Sequence, residues 1–226
     1  MAAALAERLR EAGEDPVAIN CDALQVYEGL AVLTGTASAE QQERLEHRLL
    51  GFVPVTSDFS VGDYMPLAHA EIDAALAAGR TPIVVGGTGL YLRAALADLS
   101  LQKVPAESVA SELWSPATRH PTRIFGLDMD RARLYERINA RVEAIAAGGG
   151  VEEARRADAL RPGRTARKAL GFDELLSGDL EAMKKRSRNY ARRQLTWMRK
   201  IPKLALVQRD DQSDAEVATE ILARCR

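Results

Sequence analysis

The sequence has few of the residues that build metal clusters, disulfide frameworks or membrane spans. Its 226 residues include two cysteines and three histidines. Cys21 and Cys225 stand near opposite ends without a CxxC pair, which excludes a metal cluster of the usual ligand spacing and a disulfide framework. No apolar run approaches the roughly 18 residues of a membrane helix. Residues 1–16 indicate a charged amphipathic helix rather than a signal peptide. We therefore expect a cytoplasmic monomer with no membrane partner.

Aromatic residues are also scarce, at 5%, whereas apolar residues make up 46% and charged residues 28%. This composition predicts a soluble domain with a largely aliphatic core. The net charge of −1 conceals an asymmetry, because residues 183–208 contain nine basic residues and no acidic one. A basic face on a nearly neutral protein favours a polyanionic partner such as nucleic acid, and a solvated helix face is the alternative.

Apolar strands alternate with amphipathic helices in the first half. The patterns predict helices over 3–12, 40–50 and 63–78 and strands over 16–20, 51–55 and 81–86. This rhythm indicates an α/β fold with a parallel sheet covered by helices. The stretch 99–121 has three prolines and no clear period, so we interpret it as a connector. Beyond it we expect strands over 123–129 and 204–208 and helices over 131–147, from 151, over 179–200 and over 213–224.

Three stretches carry side chains suited to chemistry. In the first, a buried strand enters Gly86-Gly87-Thr88-Gly89 and then a helix, so backbone amides and the threonine hydroxyl are placed to bind phosphate; a purely structural turn is the alternative. Asp22 follows an apolar strand, which places its carboxylate at the sheet edge where α/β folds bind ligands; capping the next turn is the alternative. Gln25 has an amide that can read a base edge.

The third stretch is the basic helix, 186–200. Arginines at 188, 192 and 199 are interleaved with Tyr190 and Trp197, a combination that suits phosphate contacts and base stacking. Packing of the aromatic rings into the core is the alternative for those two residues.

Together these stretches resemble the bacterial tRNA dimethylallyltransferases, also called tRNA isopentenyltransferases. The similarity rests on DALQVY at 22–27, GTA at 35–37, GGTGLY at 86–91, LYERINARV at 134–142, ALGFDE at 169–174 and SRNYARRQLTW at 187–197. These matches occur in the family's order across most of the chain. The resemblance implies a P-loop NTPase-like parallel sheet flanked by helices, with a C-terminal basic helix.

The resemblance also implies a reaction and roles for individual residues. The family transfers a dimethylallyl group from dimethylallyl diphosphate, assisted by Mg²⁺, to N6 of the adenosine beside the anticodon, in tRNAs reading codons that begin with U. Asp22 is then the general base, and Thr88 hydrogen-bonds the oxygen that bridges the prenyl and diphosphate groups. Asp22, Ala23, Leu24 and Gln25 hold the flipped adenine. The residues expected to contact the tRNA backbone or the diphosphate are Arg192, Arg193, Gln194, Thr196 and Arg199.

Two family features do not occur among the 226 residues. No GxxxxGK[ST] loop is present, so we expect a sheet that is incomplete at its N-terminal end, with apolar strand surface exposed. One hypothesis is that Met1 is a misassigned initiator. Only about 20 residues replace the family's helical insertion, which predicts weaker tRNA affinity. We expect a single domain over 1–226, with halves 1–98 and 122–226 joined by the connector.

Two other functions remain open from the sequence. The chain could be an inactive relative that retains tRNA binding only. It could also be a nucleoside-phosphate kinase-like protein, although the RQLTW segment at 193–197 and the absence of a Walker lysine count against that.

Overall fold

A computed structural model describes residues 1–100 and 112–225. The strands are β1 (Pro16–Asn20), β2 (His47–Arg48), β3 (Thr81–Val85), β4 (Ile124–Asp128) and β5 (Leu204–Gln208). The helices are α1 (Ala2–Glu11), α2 (Ala31–Thr34), α3 (Ala39–Arg44), α4 (Val61–Ala77), α5 (Gly89–Leu96), α6 (Arg131–Ile145), α7 (Val151–Ala159), α8 (Phe172–Ser177), α9 (Leu180–Met198) and α10 (Asp214–Cys225). Part of the predicted connector, 101–111, lies outside the described residues. In the described part, no helix is long and apolar enough to cross a membrane.

The central strand β1 is buried along its whole length because helices cover both of its faces. It pairs in parallel with β2 on one side and β3 on the other. Ala18 packs with Ala6 of α1, whereas the next residue, Ile19, packs with Tyr64 of α4. Successive strand residues point to opposite faces, so α1 and α4 cover the two sides. This arrangement confirms the prediction of a parallel sheet flanked by helices.

The strands of the described residues form two separate sheets. Strands β4 and β5 pair in parallel with each other and with no strand of the first sheet. Helix α10 packs on β5 and also against α1, which links the two sheets through a cluster that includes Val207, Val217 and Leu5. Apolar side chains of three strands are partly exposed: Val85 by 39%, Leu127 by 37% and Leu206 by 45%. The expected exposure of apolar strand surface is therefore present.

The predictions for residues 40–55 are wrong in detail. The expected helix over 40–50 ends at Arg44, and Leu45 turns into the core with an extended backbone. The short strand β2 follows at once, beside β1. The expected strand over 51–55 is reduced to one bridge between Val53 and Tyr27. Burial of Leu45 against the sheet stabilises the extended conformation by more than the helix-forming preference of its polar neighbours would stabilise a helix, because that preference is weak.

A second core lies beyond the carboxyl end of β1. It joins Val26 to Leu33 with α7, α8 and the start of α9. Its polar contact is Glu153 of α7, which is 4% exposed and accepts hydrogen bonds from the backbone N–H groups of Val32 (3.1 Å) and Leu33 (2.7 Å). A helix leaves its first N–H groups unpaired, so a carboxylate from α7 caps the short helix α2. This contact fixes the segment that follows Asp22.

Candidate active site

Asp22 is held at the carboxyl end of β1 by the buried amide of Asn20. Asn20 is 4% exposed; its Oδ1 accepts from the Asp22 N–H at 3.0 Å, and its Nδ2 donates to the Leu49 carbonyl at 2.9 Å. One oxygen of the Asp22 carboxylate, Oδ1, accepts from the Leu24 N–H at 2.9 Å. The other oxygen, Oδ2, faces the glycine turn, since a Cβ placed on Gly87 would lie 3.7 Å from it. The backbone therefore orients the carboxylate and leaves one oxygen directed at the turn.

The glycine turn after β3 lies directly against the Asp22 segment. A Cβ on Gly86 would stand 2.6 Å from the Cys21 carbonyl carbon and 2.7 Å from the Asp22 nitrogen, so only glycine permits this approach. Thr88 Oγ1 accepts a hydrogen bond from the Ala23 N–H at 3.3 Å. The two residues assigned catalytic roles from the sequence, Asp22 and Thr88, are thus neighbours at one rim of the sheet.

Helix α9 closes the turn from the other side. The Gln194 side-chain amide donates to the Gly87 carbonyl at 2.9 Å, and the Tyr190 hydroxyl lies 3.4 Å from the same oxygen. Burial raises the pKa of the Tyr190 phenol, and its hydrogen bond with Thr88 partly offsets that rise. Arg193 stacks over the Tyr190 ring at 5.5 Å. The arrangement brings an amide and a phenol to the turn that carries Thr88, with a guanidinium stacked on the phenol ring.

Tryptophan packing forms the adjacent wall. The Trp197 ring lies against Gly89, where a Cβ would meet Trp197 Cε3 at 2.3 Å. Trp114 packs on Trp197 with 4.9 Å between ring centroids. The loop that carries Trp114 is held by Arg93 of α5, which is 1% exposed and donates to the carbonyls of residues 113 and 115, each at 2.9 Å. The described end of the connector thus contributes to the candidate site.

Other residues expected at the site face elsewhere. Gln25 donates to the carbonyls of Thr34 and Gly35, each at 3.3 Å. Arg188 donates to Asn139 of α6 at 2.7 Å, and Thr196 bonds to a carbonyl of its own helix. At 100° per residue, the arginines at 188, 192 and 199 lie on the side of α9 opposite Tyr190 and Trp197. The structure therefore does not bring these three arginines to the glycine turn, and their contact with RNA stays a prediction.

The side chains at this rim of the sheet determine how the predicted Mg²⁺ could be held. Within residues 1–100 and 112–225, no group of three or more His, Cys, Asp or Glu side chains could hold a metal ion. Mg²⁺ commonly takes one or two carboxylates together with phosphate oxygens of a substrate. The Asp22 oxygen that faces the turn fits that second pattern, in which the substrate supplies most of the ligands.

Sequence reasoning did not assign roles to Asn20, Arg93 or the Tyr190 hydroxyl. Asn20 ends an otherwise apolar strand, and that interruption was the available signal. Tyr190, Arg193 and Trp197 recur at spacings of three and four residues, which places them on one helix face. That periodicity separates the face directed at the turn from the face that carries Arg188, Arg192 and Arg199.

Comparison with known proteins decides the family. The sequence profile described as IPP transferase matches residues 25–120 and 101–201. The chain belongs to this family. The tRNA dimethylallyltransferase of Rhodospirillum centenum is 34% identical to it over 92% of the chain and 87% of the relative. That of Salinispora tropica is 32% identical over 84% of the chain and 79% of the relative.

Solved structures of the family share the fold. A tRNA isopentenylpyrophosphate transferase from Bacillus halodurans has a TM-score of 0.82 at 24% identity, covering 99% of this chain and 89% of its own. A eukaryotic dimethylallyltransferase acting on tRNA has a TM-score of 0.76 at 17% identity, covering 98% of this chain and 73% of its own. The predicted fold class, α/β with parallel sheets flanked by helices, is therefore confirmed, and these two likenesses bear on the fold alone.

Proposed function

We propose that the chain is a tRNA dimethylallyltransferase that uses dimethylallyl diphosphate and modifies N6 of the adenosine beside the anticodon in tRNAs reading codons that begin with U. Membership in the family and the names of its relatives support the reaction class. The observation that carries the residue assignments is the contact between the Asp22 segment and Thr88, beneath Gln194 and Tyr190 of the basic helix.

The chemistry follows from these positions. The N6 amine attacks the first carbon of the dimethylallyl group; the carbon–oxygen bond breaks, and diphosphate leaves with the electron pair. Asp22 accepts the proton released by the amine, which is a weak nucleophile that needs a positioned base. Thr88 donates a hydrogen bond to the bridging oxygen as negative charge develops on it. The Asp22 carboxylate and the diphosphate oxygens of the substrate would hold Mg²⁺, and the ion would supply positive charge to the leaving group.

The turn and the basic helix have separate tasks in this scheme. We assign Ala23 and Leu24 to the adenine, together with Gln25, whose amide would exchange the Thr34 and Gly35 carbonyls for the base. We assign the backbone of Gly86, Gly87 and Gly89 to the diphosphate. Gln194 binds the Gly87 carbonyl, and Arg193 stacks on the Tyr190 ring beside it, so we assign both to the diphosphate. Arg188, Arg192, Thr196 and Arg199 lie away from it and are assigned to the RNA backbone.

One experiment tests the proposal and separates it from tRNA binding without transfer. The chain is incubated with unmodified tRNA and labelled dimethylallyl diphosphate, beside the variant Asp22→Asn. Asparagine retains an oxygen for the Leu24 N–H, so the fold is expected to persist. We expect transfer to fall about 10²- to 10⁴-fold, the usual contribution of a general base, with tRNA affinity unchanged. Equal rates for both proteins would remove Asp22 as the base, and tRNA binding without any transfer would favour the inactive relative.

A further inference from the structure

A second basic feature lies outside the candidate active site. An open cavity of about 330 Å³ is lined by Arg164, Arg167, Lys168, Asp173 and Arg186. The first three follow α7, and Arg186 belongs to the second turn of α9. The scheme for prenyl transfer uses none of these side chains.

Two of the four basic groups are fixed by carboxylates, and two are not. Arg186 Nη1 lies 2.9 Å from Glu174 Oε1. Arg167 pairs with Asp158 at 2.5 Å and with Asp173 at 2.9 Å. Across the described residues, the side chains of Arg164 and Lys168 have no hydrogen-bond or ion-pair partner, and both are exposed. The cavity thus combines two pre-oriented guanidinium groups with two basic groups that are available to a ligand.

The two basic side chains without a carboxylate partner favour an anion as the ligand. Arg167 and Arg186 are already paired, and Asp58 accepts a hydrogen bond from the Arg164 backbone N–H at 2.9 Å, so the donors available to a ligand are the side chains of Arg164 and Lys168. A phosphodiester carries one negative charge, and arginine presents paired N–H donors that match phosphate oxygens.

The cavity and the glycine turn lie along one face of α9. Arg186, Tyr190, Arg193 and Trp197 recur at spacings of three and four residues, so they share a stripe of the helix surface. At 1.5 Å per residue, Arg186 stands about 12 Å along the helix axis from Gln194, which binds the Gly87 carbonyl. The cavity is therefore within the reach of a few nucleotides from a base that is bound at the turn.

We propose that this cavity binds a backbone phosphate of the RNA substrate, close to the nucleotide that is modified. The inference rests on the proposed function, because RNA is the ligand that this function brings to α9. Arg164 and Lys168 make the ion contacts that RNA gains on binding, whereas Arg167 and Arg186 are oriented before the RNA arrives.

The test is a salt titration of tRNA binding by the variant Arg164→Gln/Lys168→Gln. Each neutralised phosphate contributes about 0.7 to 0.9 to the slope of log K against log salt. Losing one contact should flatten the slope by that amount and weaken binding about fivefold to eightfold at about 0.1 M salt. The matched control is Arg10→Gln/Arg123→Gln, which removes two exposed charges near the amino ends of β1 and β4 and should leave the slope unchanged.

Two further measurements make the outcome specific. The charge-preserving variant Arg164→Lys/Lys168→Arg keeps both positive charges, so it should retain the salt slope. A slope as flat as that of the glutamine variant would show that charge is not responsible, and the proposal fails. Binding of inorganic diphosphate, followed by calorimetry, should be the same for the glutamine variant and the unaltered chain. A loss of diphosphate binding with an unchanged tRNA curve would instead identify a diphosphate pocket.

Failure of this inference can be distinguished from failure of the proposed function. If the unaltered chain binds tRNA and the glutamine variant matches it at every salt concentration, only the cavity proposal is overturned. If the unaltered chain binds no tRNA, both are overturned.

Discussion

Replacing Gly89 by alanine should have opposite effects on stability in two backgrounds. In the unaltered protein the new Cβ would lie 2.3 Å from Trp197 Cε3 and 2.7 Å from Cδ2. The ring cannot simply swing away, because Trp114 packs on it with 4.9 Å between centroids. Overpacking of this kind costs about 1–3 kcal/mol, against a gain of up to about 1 kcal/mol for alanine over glycine in a helix. We expect a net loss of up to about 3 kcal/mol.

In the background Trp197→Ala the clash is absent. Gly89→Ala should then stabilise the protein by up to about 1 kcal/mol, because only the helix preference remains. The assay is urea unfolding followed by far-ultraviolet circular dichroism for all four proteins, with the coupling energy taken from the cycle. The control is Gly62→Ala in α4, where the nearest atom to a Cβ is Ser60 Oγ at 3.4 Å. A change of the same sign and size in both backgrounds would refute the contact between Gly89 and the Trp197 ring.

Two further predictions concern carboxylates away from the turn. Glu153→Gln leaves one weaker acceptor for the two capped N–H groups of α2, and we expect a loss of about 1–3 kcal/mol in the free energy of unfolding, measured in urea; an unchanged value would contradict the capping role. The hydrogen bond from Arg80 holds the pKa of Glu46 below its ordinary value of 4.5, aided by Arg48. A lowered pKa in the folded state means that the stabilisation is present above pH 4.5 and is lost as the pH falls through the lower value. The free energy of unfolding should therefore fall less steeply with decreasing pH in Glu46→Gln than in the unaltered protein. The same fall in both proteins would argue against the pairing of Glu46 with Arg80.

The sequence was most informative where a periodic pattern agreed with tertiary packing. Strands 16–20 and 204–208 match β1 and β5 in full, and the helix predicted over 63–78 is observed over 61–77. These segments are apolar strands or strongly periodic helices, so local preference and burial give the same result. Around residue 47 local preference and burial give different results, because Leu45 is fully buried while its polar neighbours favour a helix. Local composition does not contain that information.

The candidate site was predictable in part for a similar reason. Asp22 follows the buried strand β1 and Thr88 follows the apolar, half-buried strand β3, and adjacent parallel strands end at the same edge. Their proximity thus follows from topology. The orientation of α9 does not, because a helix rich in arginine on several faces can turn any of them to the sheet. Packing of Trp197 on Gly89 fixes that rotation, and such a contact between residues far apart in the chain leaves no local signal.

The pair of contacting indole rings gives the protein an intrinsic fluorescent reporter. The protein contains two tryptophans, and both belong to this one pair, with the Lys200 ammonium 5.4 Å from the centre of the Trp114 ring. Emission excited at the indole band therefore comes entirely from the wall beside Gly89, with no background from distant parts of the chain. Binding of a ligand at the turn can be followed by the wavelength and intensity of tryptophan fluorescence, without attaching a dye or altering a residue.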